Sequence, residues 1–201
     1  MRASSGPGAG CILGRMRAAP VLDKPTSATR LLSLEEFLRL PETKPYSELI
    51  DGEVVQKPVG KIDHSTAQTN LVILLFVEPT TSGGRRYAEL GMRFPRTIRG
   101  NLRVPDVSYY RPGRPRITGD YPSELPDLVA EVRSKGQQRS ILESRLAFLR
   151  GQGVPCTLLI DPVAKNVEVH DGSHTFTASG DETVVLESLG GFSFTVSALF
   201  A

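Results

Sequence analysis

The chain has 201 residues, of which 39% are hydrophobic and 23% are charged, a composition typical of a globular protein with one core. The net charge of +2 is too small by itself to indicate a nucleic-acid partner, and no apolar run approaches the ~20 residues that a membrane-spanning helix needs. Two cysteines and three scattered histidines favour neither a disulfide framework nor a zinc site, so we expect a cytoplasmic protein without a membrane segment.

The amino-terminal part of the chain begins with a low-complexity segment. Residues 1–28 are rich in Gly, Ala, Ser, Pro and Arg without periodicity, which predicts a disordered tail and leaves a single domain over residues 29–201. Ser33 and Glu36 then match a capping box, in which each side chain accepts a hydrogen bond from the other residue's amide. A short helix is therefore predicted to follow Ser33 and to end at about Leu40.

Strand and helix signals alternate in the rest of the chain. The Asp51-Gly52 pair within residues 48–55 predicts a hairpin, since these residue types accept the positive φ angles of a tight turn. Apolar spacing predicts two longer helices, over 64–77 and 138–150. Strands are predicted over 86–96, 103–110, 127–133, 156–162 and 166–170, with a further strand or docked end over 191–200. This order predicts an α/β (α+β) fold with a central sheet and two main helices.

Two acidic residues inside apolar strand segments are the main clue to function. Asp106 lies in Arg103-Val104-Pro105-Asp106-Val107, and Glu131 follows 25 residues later in the run from Asp127 to Ser134. An ionised carboxylate in a buried strand is costly unless a cation or several hydrogen-bond donors compensate its charge. The pair therefore suggests a metal site, although each residue taken alone is also compatible with an ordinary ion pair.

Residues 85–116 carry nine arginines against two acidic residues, a local charge of +7. Guanidinium groups bind phosphate oxygens, and the interleaved aromatic residues could stack on exposed bases, so this stretch is a candidate polyanion surface. The aromatic residues are Tyr87, Phe94, Tyr109 and Tyr110, and the arginines assigned to nucleic acid are Arg93, Arg96, Arg99 and Arg103. The alternative interpretation is a solvated hairpin surface, and the sequence favours neither.

Five segments, in this order and spacing, form a known pattern. They are Leu49-Ile50-Asp51-Gly52-Glu53, the helix opening at His64, Val104-Pro105-Asp106-Val107, the run Leu128 to Ser134, and Gly153-Val154-Pro155 leading to Leu158-Leu159-Ile160-Asp161-Pro162. Together they resemble the Uma-two family of restriction-endonuclease-like proteins, a branch of the PD-(D/E)XK nuclease superfamily. The resemblance covers roughly residues 31–201. It implies a restriction-endonuclease-like core, in which helices flank a mixed sheet and a divalent metal binds at one sheet edge.

The resemblance also implies a chemistry. Asp106 and Glu131 would be ligands of Mg²⁺ or Mn²⁺, helped by the backbone carbonyl of Val132, and a metal-bound water would hydrolyse a phosphodiester bond of DNA. A two-fold homodimer is implied as well, because paired sites cut both strands most easily.

Three further residues are accessory candidates. Glu53 could approach the same sheet edge as a third acidic group, and an exposed hairpin glutamate is the alternative. His64 could contact phosphate or cap its helix, and we favour the cap. Ser134 is expected to bind loop backbone or to orient Glu131.

The lysine of the pattern is missing. Members of the superfamily usually carry a lysine two residues after the glutamate, and this chain has Arg133 there. In the Uma-two family the lysine typically lies about fourteen residues after the glutamate, and this chain has Arg145 there. An arginine neutralises phosphate but, with a pKa above ~12, cannot take a proton from water, so impaired activity is expected. Lys135 is the nearby lysine that could substitute for it. The alternatives are a catalytically silent nucleic-acid-binding module and a partner for an acidic protein.

Overall fold

The computed structural model describes residues 30–201, so the tail predicted over residues 1–28 lies outside the described residues. The helices are α1 (Leu34–Leu38), α2 (Ile62–Val77) and α3 (Arg139–Gly151). The strands are β1 (Ser47–Ile50), β2 (Glu53–Gln56), β3 (Arg85–Ala88), β4 (Met92–Phe94), β5 (Asn101–Arg103), β6 (Val107–Tyr110), β7 (Leu128–Val132), β8 (Cys156–Asp161), β9 (Asn166–Asp171), β10 (His174–Ser179), β11 (Thr183–Leu186) and β12 (Phe192–Thr195). Within residues 30–201, no helix combines the length and apolar character needed to cross a bilayer.

The strands form three sheets, of which the largest is mixed and central. The central sheet has six strands in the order β10-β9-β8-β7-β6-β3. Its pair β7 and β8 is parallel and its other pairs are antiparallel. α3 connects β7 to β8 and provides the crossover that a parallel pair requires. The second sheet is antiparallel with the order β2-β1-β5-β4, and β11 pairs with β12 in the third. The predicted mixed α/β fold is confirmed.

Both faces of the central sheet are covered, which explains why β7 and β8 are buried along their whole length. On one face, α2 and the carboxyl-terminal segment pack against alternate strand residues such as Ala130 and Ile160. On the other face, three leucines of α3 pack against Val129 and Leu159. These leucines are Leu142, Leu146 and Leu149, whose spacing places them on one side of the helix. Because side chains alternate along a strand, Glu131 projects to the same face as Val129.

Two local predictions are confirmed at the residue level. Ser33 caps α1, and the full capping box with Glu36 is formed. At the β1–β2 hairpin, Asp51 has a φ of 52° and Gly52 a φ of 96°, as the predicted two-residue turn requires. Both features depend only on neighbouring residues.

Other predicted boundaries are wrong. The strand expected over 86–96 is two strands of different sheets, because the chain reverses at Glu89, whose φ is 53°. The strand expected over 103–110 is interrupted between β5 and β6, where Pro105 has no amide to donate to a sheet. The strands β10 and β11 were not predicted at all.

Candidate functional site

The two carboxylates singled out in the sequence lie together. Asp106 immediately precedes β6, and Glu131 lies in the neighbouring strand β7. The β6–β7 register pairs Val107 with Ala130, and its continuation sets Asp106 opposite Glu131, at a typical cross-strand Cβ separation of ~5 Å. Each residue is 2% exposed. Two buried carboxylates therefore lie side by side, one just before β6 and the other in β7.

Asp106 is held by a lysine and a backbone amide. Its Oδ1 lies 2.7 Å from Nζ of Lys57, and its Oδ2 accepts a 2.7 Å hydrogen bond from the amide of Val132. Nε2 of His64 lies 3.7 Å from Oδ1. Burial acts to raise the pKa of Asp106, but Lys57 and then His64 outweigh it and hold the pKa below its usual range. Asp106 is therefore ionised near neutral pH.

Glu131 is held by Arg145, which reaches it from α3. Nε and Nη2 of Arg145 donate to Oε1 of Glu131 over 3.0 and 2.8 Å. Burial nevertheless raises the pKa of Glu131 to about 7, because Arg145 only partly offsets burial and Asp106 adds to it. The site thus contains one carboxyl group that is ionised and another that is poised to gain or lose a proton.

A third carboxylate, that of Glu48, completes the cluster. Nη2 of Arg145 donates to its Oε1 over 2.9 Å, and Nη1 donates to its Oε2. The amide of Val104 also donates to Oε1, over 2.6 Å. Arg145 therefore bridges Glu48 and Glu131, two residues on different sheets.

The donor set fits a hard divalent cation in its chemistry, since Mg²⁺ prefers carboxylate and carbonyl oxygens. Over residues 30–201, however, no three His, Cys, Asp or Glu side chains are arranged as a ready metal cage. Lys57 and Arg145 occupy oxygens of Asp106 and Glu131. A metal ion at these oxygens would therefore compete with the two ion pairs.

Two residues of the site were missed from the sequence. Glu48 enters from the hairpin, whereas the predicted Glu53 is exposed on β2 and, within residues 30–201, forms no hydrogen bond or ion pair with the cluster. The lysine of the site is Lys57, while the predicted Lys135 is exposed in the turn after β7. Glu48 carried a detectable signal, an acidic residue inside an apolar strand. No sequence signal marked Lys57 as buried, because it follows a strand whose side chains are all exposed.

His64 and Ser134 contact each other across the site. Oγ of Ser134 and Nδ1 of His64 are 3.2 Å apart, and the Ser134 amide donates to Oε1 of Gln137. The favoured role of His64 as a helix cap is wrong, since α2 begins at Ile62 and its N-cap residue Lys61 makes no side-chain cap bond. Within residues 30–201, the hydroxyl of Ser134 therefore contacts His64 and forms no hydrogen bond with Glu131.

The arginine-rich stretch is only partly a free surface. Arg103 is 6% exposed, with its guanidinium 4.5 Å from the ring centre of Phe148, which corrects its assignment to nucleic acid. Arg111 and Arg114 are tied to the buried Asp127. The aromatic residues Phe94, Tyr109 and Tyr110 are buried and cannot stack on bases. Arg93, Arg96 and Arg99 are exposed.

Comparison with known proteins identifies the family and the fold of the chain. The Uma2 family model, described as "Putative restriction endonuclease", matches residues 34–197, which include every residue of the cluster. The chain belongs to the Uma2 family. The fold is also similar to the crystal structure of "a putative nuclease belonging to DUF820" from Anabaena variabilis ATCC 29413, with a TM-score of 0.72 and 27% identity over 84% of this chain and 97% of that one. No curated protein matches the chain. The Uma2 match and the shared fold indicate a restriction-endonuclease-like nuclease.

Proposed function

We propose that this Uma2 protein is a metal-dependent endonuclease that hydrolyses phosphodiester bonds of DNA and acts as a homodimer. The observation that supports it is the placement of Asp106 opposite Glu131, both buried at the junction of β6 and β7. Burying a carboxylate costs stability, so a pair of buried carboxyl groups whose pKa values are shifted in opposite directions is a good candidate for a functional site.

Asp106, Glu131 and the carbonyl of Val132 would hold Mg²⁺ or Mn²⁺. When bound, such an ion supplies Lewis acidity toward the scissile phosphate and an activated water. Val132 anchors Asp106 through its amide, and so fixes one oxygen of that carboxylate. Arg145 contributes fixed positive charge beside Glu131 but cannot accept a proton. His64 adds a ring nitrogen near Asp106 whose orientation is set by Ser134.

Cleavage of supercoiled circular DNA tests the proposal directly, because a circle has no ends and reports only endonuclease action. Nicked and linear products are expected with Mg²⁺ or Mn²⁺ and should disappear with excess EDTA. An intact circle with either metal, at protein concentrations that retard the DNA, contradicts the proposal. That result would identify the alternative function, a catalytically silent nucleic-acid-binding module. The alternative is favoured by one feature, namely that both carboxylates are already paired with basic side chains.

Replacement of Arg145 by lysine should raise the rate of DNA cleavage and lower the stability of the protein. A lysine offers a compact, rotatable donor with a pKa that a site can shift, so the Mg²⁺-dependent single-turnover rate should rise. The same change should lower the melting temperature, because one ammonium cannot bridge Glu48 and Glu131 as the guanidinium does. Arg139→Lys is the control, since Arg139 lies on the same helix in a surface ion pair with Glu143. If Arg145→Lys and Arg139→Lys change the single-turnover rate equally, Arg145 has no specific role in cleavage.

Binding of DNA should depend on the exposed arginines. The triple change of Arg93, Arg96 and Arg99 to Gln should weaken duplex binding and lower the slope of log K against log salt by up to ~3, about one unit for each lost phosphate contact. Fluorescence anisotropy at several salt concentrations measures that slope. Arg116→Gln removes an exposed arginine from the same stretch and should change the slope by no more than about one. An unaltered slope in the triple variant would show that these arginines are only a solvated surface.

A further inference from the structure

Lys57 occupies an unusual position for a lysine. It is 8% exposed, and its Nζ contacts Oδ1 of Asp106 over 2.7 Å and the carbonyl oxygen of Val104 over 2.6 Å. A lysine is rarely buried unless its charge is compensated, and here Asp106 provides that compensation. The ammonium has three donors, and these two contacts leave one of them for another acceptor.

The two cations of the site are held very differently. The guanidinium of Arg145 donates hydrogen bonds to two carboxylates, those of Glu48 and Glu131. Lys57 has one carboxylate partner at the end of a flexible four-carbon chain, while its backbone is anchored by a 2.8 Å bond from its amide to the carbonyl of Tyr46. The head of Lys57 can therefore move without any change in the backbone, whereas movement of Arg145 breaks two ion pairs.

Lys57 contacts an oxygen of Asp106 that would be available to a metal ion held by this carboxylate. Oδ2 of Asp106 accepts the Val132 amide, so Oδ1 is the oxygen of Asp106 that carries no backbone bond. A divalent cation held by Oδ1 would repel the ammonium, because two cations that share one carboxylate oxygen in a buried site interact strongly. The displaced ammonium remains within reach of whatever anion lies beside the ion.

We propose that Lys57 is the exchangeable cation of this site. In the metal-free protein it neutralises Asp106, and when a divalent ion binds there it releases Oδ1 and donates to a phosphate oxygen of the substrate. The inference rests on the proposed function and adds to it a substrate-binding residue outside the predicted set. It requires no change of covalent bonds.

The affinity for Mn²⁺, measured by titration calorimetry on the full chain, tests the exchange. Lys57→Met removes the competing charge and keeps an unbranched chain, so it should bind Mn²⁺ about tenfold more tightly than the wild type, the factor that corresponds to about 1.4 kcal/mol. Its affinity for a DNA duplex in saturating Ca²⁺ should fall by about tenfold, since one phosphate contact is lost. Should Lys57→Met fail to fold, Lys57→Gln provides the same test, because its amide can still donate to Asp106 without a charge.

Lys61→Met is the matched control. Lys61 is an exposed lysine four residues further on, so its removal makes the same change in net charge outside the site. It should leave both affinities at the wild-type value. Equal effects of the two substitutions would show a general charge effect and overturn the inference.

The remaining outcomes are also decisive. Unchanged or weaker Mn²⁺ binding by Lys57→Met, with normal binding by the wild type, shows that Lys57 does not compete with metal and overturns the inference alone. Tighter Mn²⁺ binding with unaltered DNA affinity shows that the freed ammonium does not reach phosphate, which overturns it as well. A wild-type protein that binds no Mn²⁺ overturns the proposed function, and this inference with it.

Discussion

Asp106→Asn is expected to reduce metal-dependent cleavage of DNA by more than about 100-fold, because changes outside the ligand set of a metal site already cost 10- to 100-fold. The amide keeps the shape of the side chain but loses the charge that binds a cation. It also leaves the buried Lys57 without its anionic partner. Single-turnover cleavage with Mg²⁺ and calorimetric titration with Mn²⁺ measure the two consequences. Glu131→Gln should have a similar effect on both.

The comparison for this prediction is Asp127→Asn, which removes another fully buried, ion-paired aspartate. Asp127 binds Arg111 and Arg114 outside the cluster, so its loss should lower stability and spare cleavage at temperatures where the protein is folded. If Asp106→Asn and Asp127→Asn lose activity in parallel with stability, the Asp106 effect is structural and the metal assignment fails.

Glu48→Ala should be the most destabilising single change among the residues of the cluster. The change removes the carboxylate that accepts hydrogen bonds from both Nη atoms of Arg145 and from the amide of Val104. Removing one partner of a buried ion pair typically costs about 3–5 kcal/mol. For a chain of this size the melting temperature should fall by roughly 10 °C. Thermal unfolding followed by circular dichroism provides the measurement.

Glu53→Ala is the control from the same hairpin. Glu53 is exposed, so its replacement should change the free energy of unfolding by no more than about 0.5 kcal/mol. A melting temperature of Glu48→Ala that matches that of Glu53→Ala would mean that the bridge through Arg145 contributes nothing to stability. The pair of variants thus separates the buried glutamate from its exposed neighbour five residues away.

Only some residues of the candidate site could be predicted from the sequence. Asp106 and Glu131 were identified because each is an acidic residue within an apolar strand, and that signal is local. Arg145 was identified through the resemblance to the Uma-two family. Lys57 was missed because its role comes from a contact with Asp106, 49 positions away, which no local pattern encodes. Glu48 had the same local signal as Asp106 and Glu131, but its partner Arg145 lies 97 positions away.

Features that the sequence by itself determined are those stabilised by neighbouring residues. The capping box at Ser33 and the turn at Asp51-Gly52 require only short-range geometry, so their residue types are sufficient evidence. Likewise, the continuous apolar character of β7 and β8 reflects a sheet covered on both faces.

The tertiary structure alone decided which charged side chains are buried and with which partners. Arg103 and the exposed Arg99 are both arginines of the same stretch, yet only Arg103 packs on an aromatic ring of α3. Lys57 rather than Lys135 reaches Asp106, because the chain after β2 passes beside the start of β6. A charge is stable in the interior only where a partner from a distant segment compensates it, and that partner exists only once the sheets and helices have packed together.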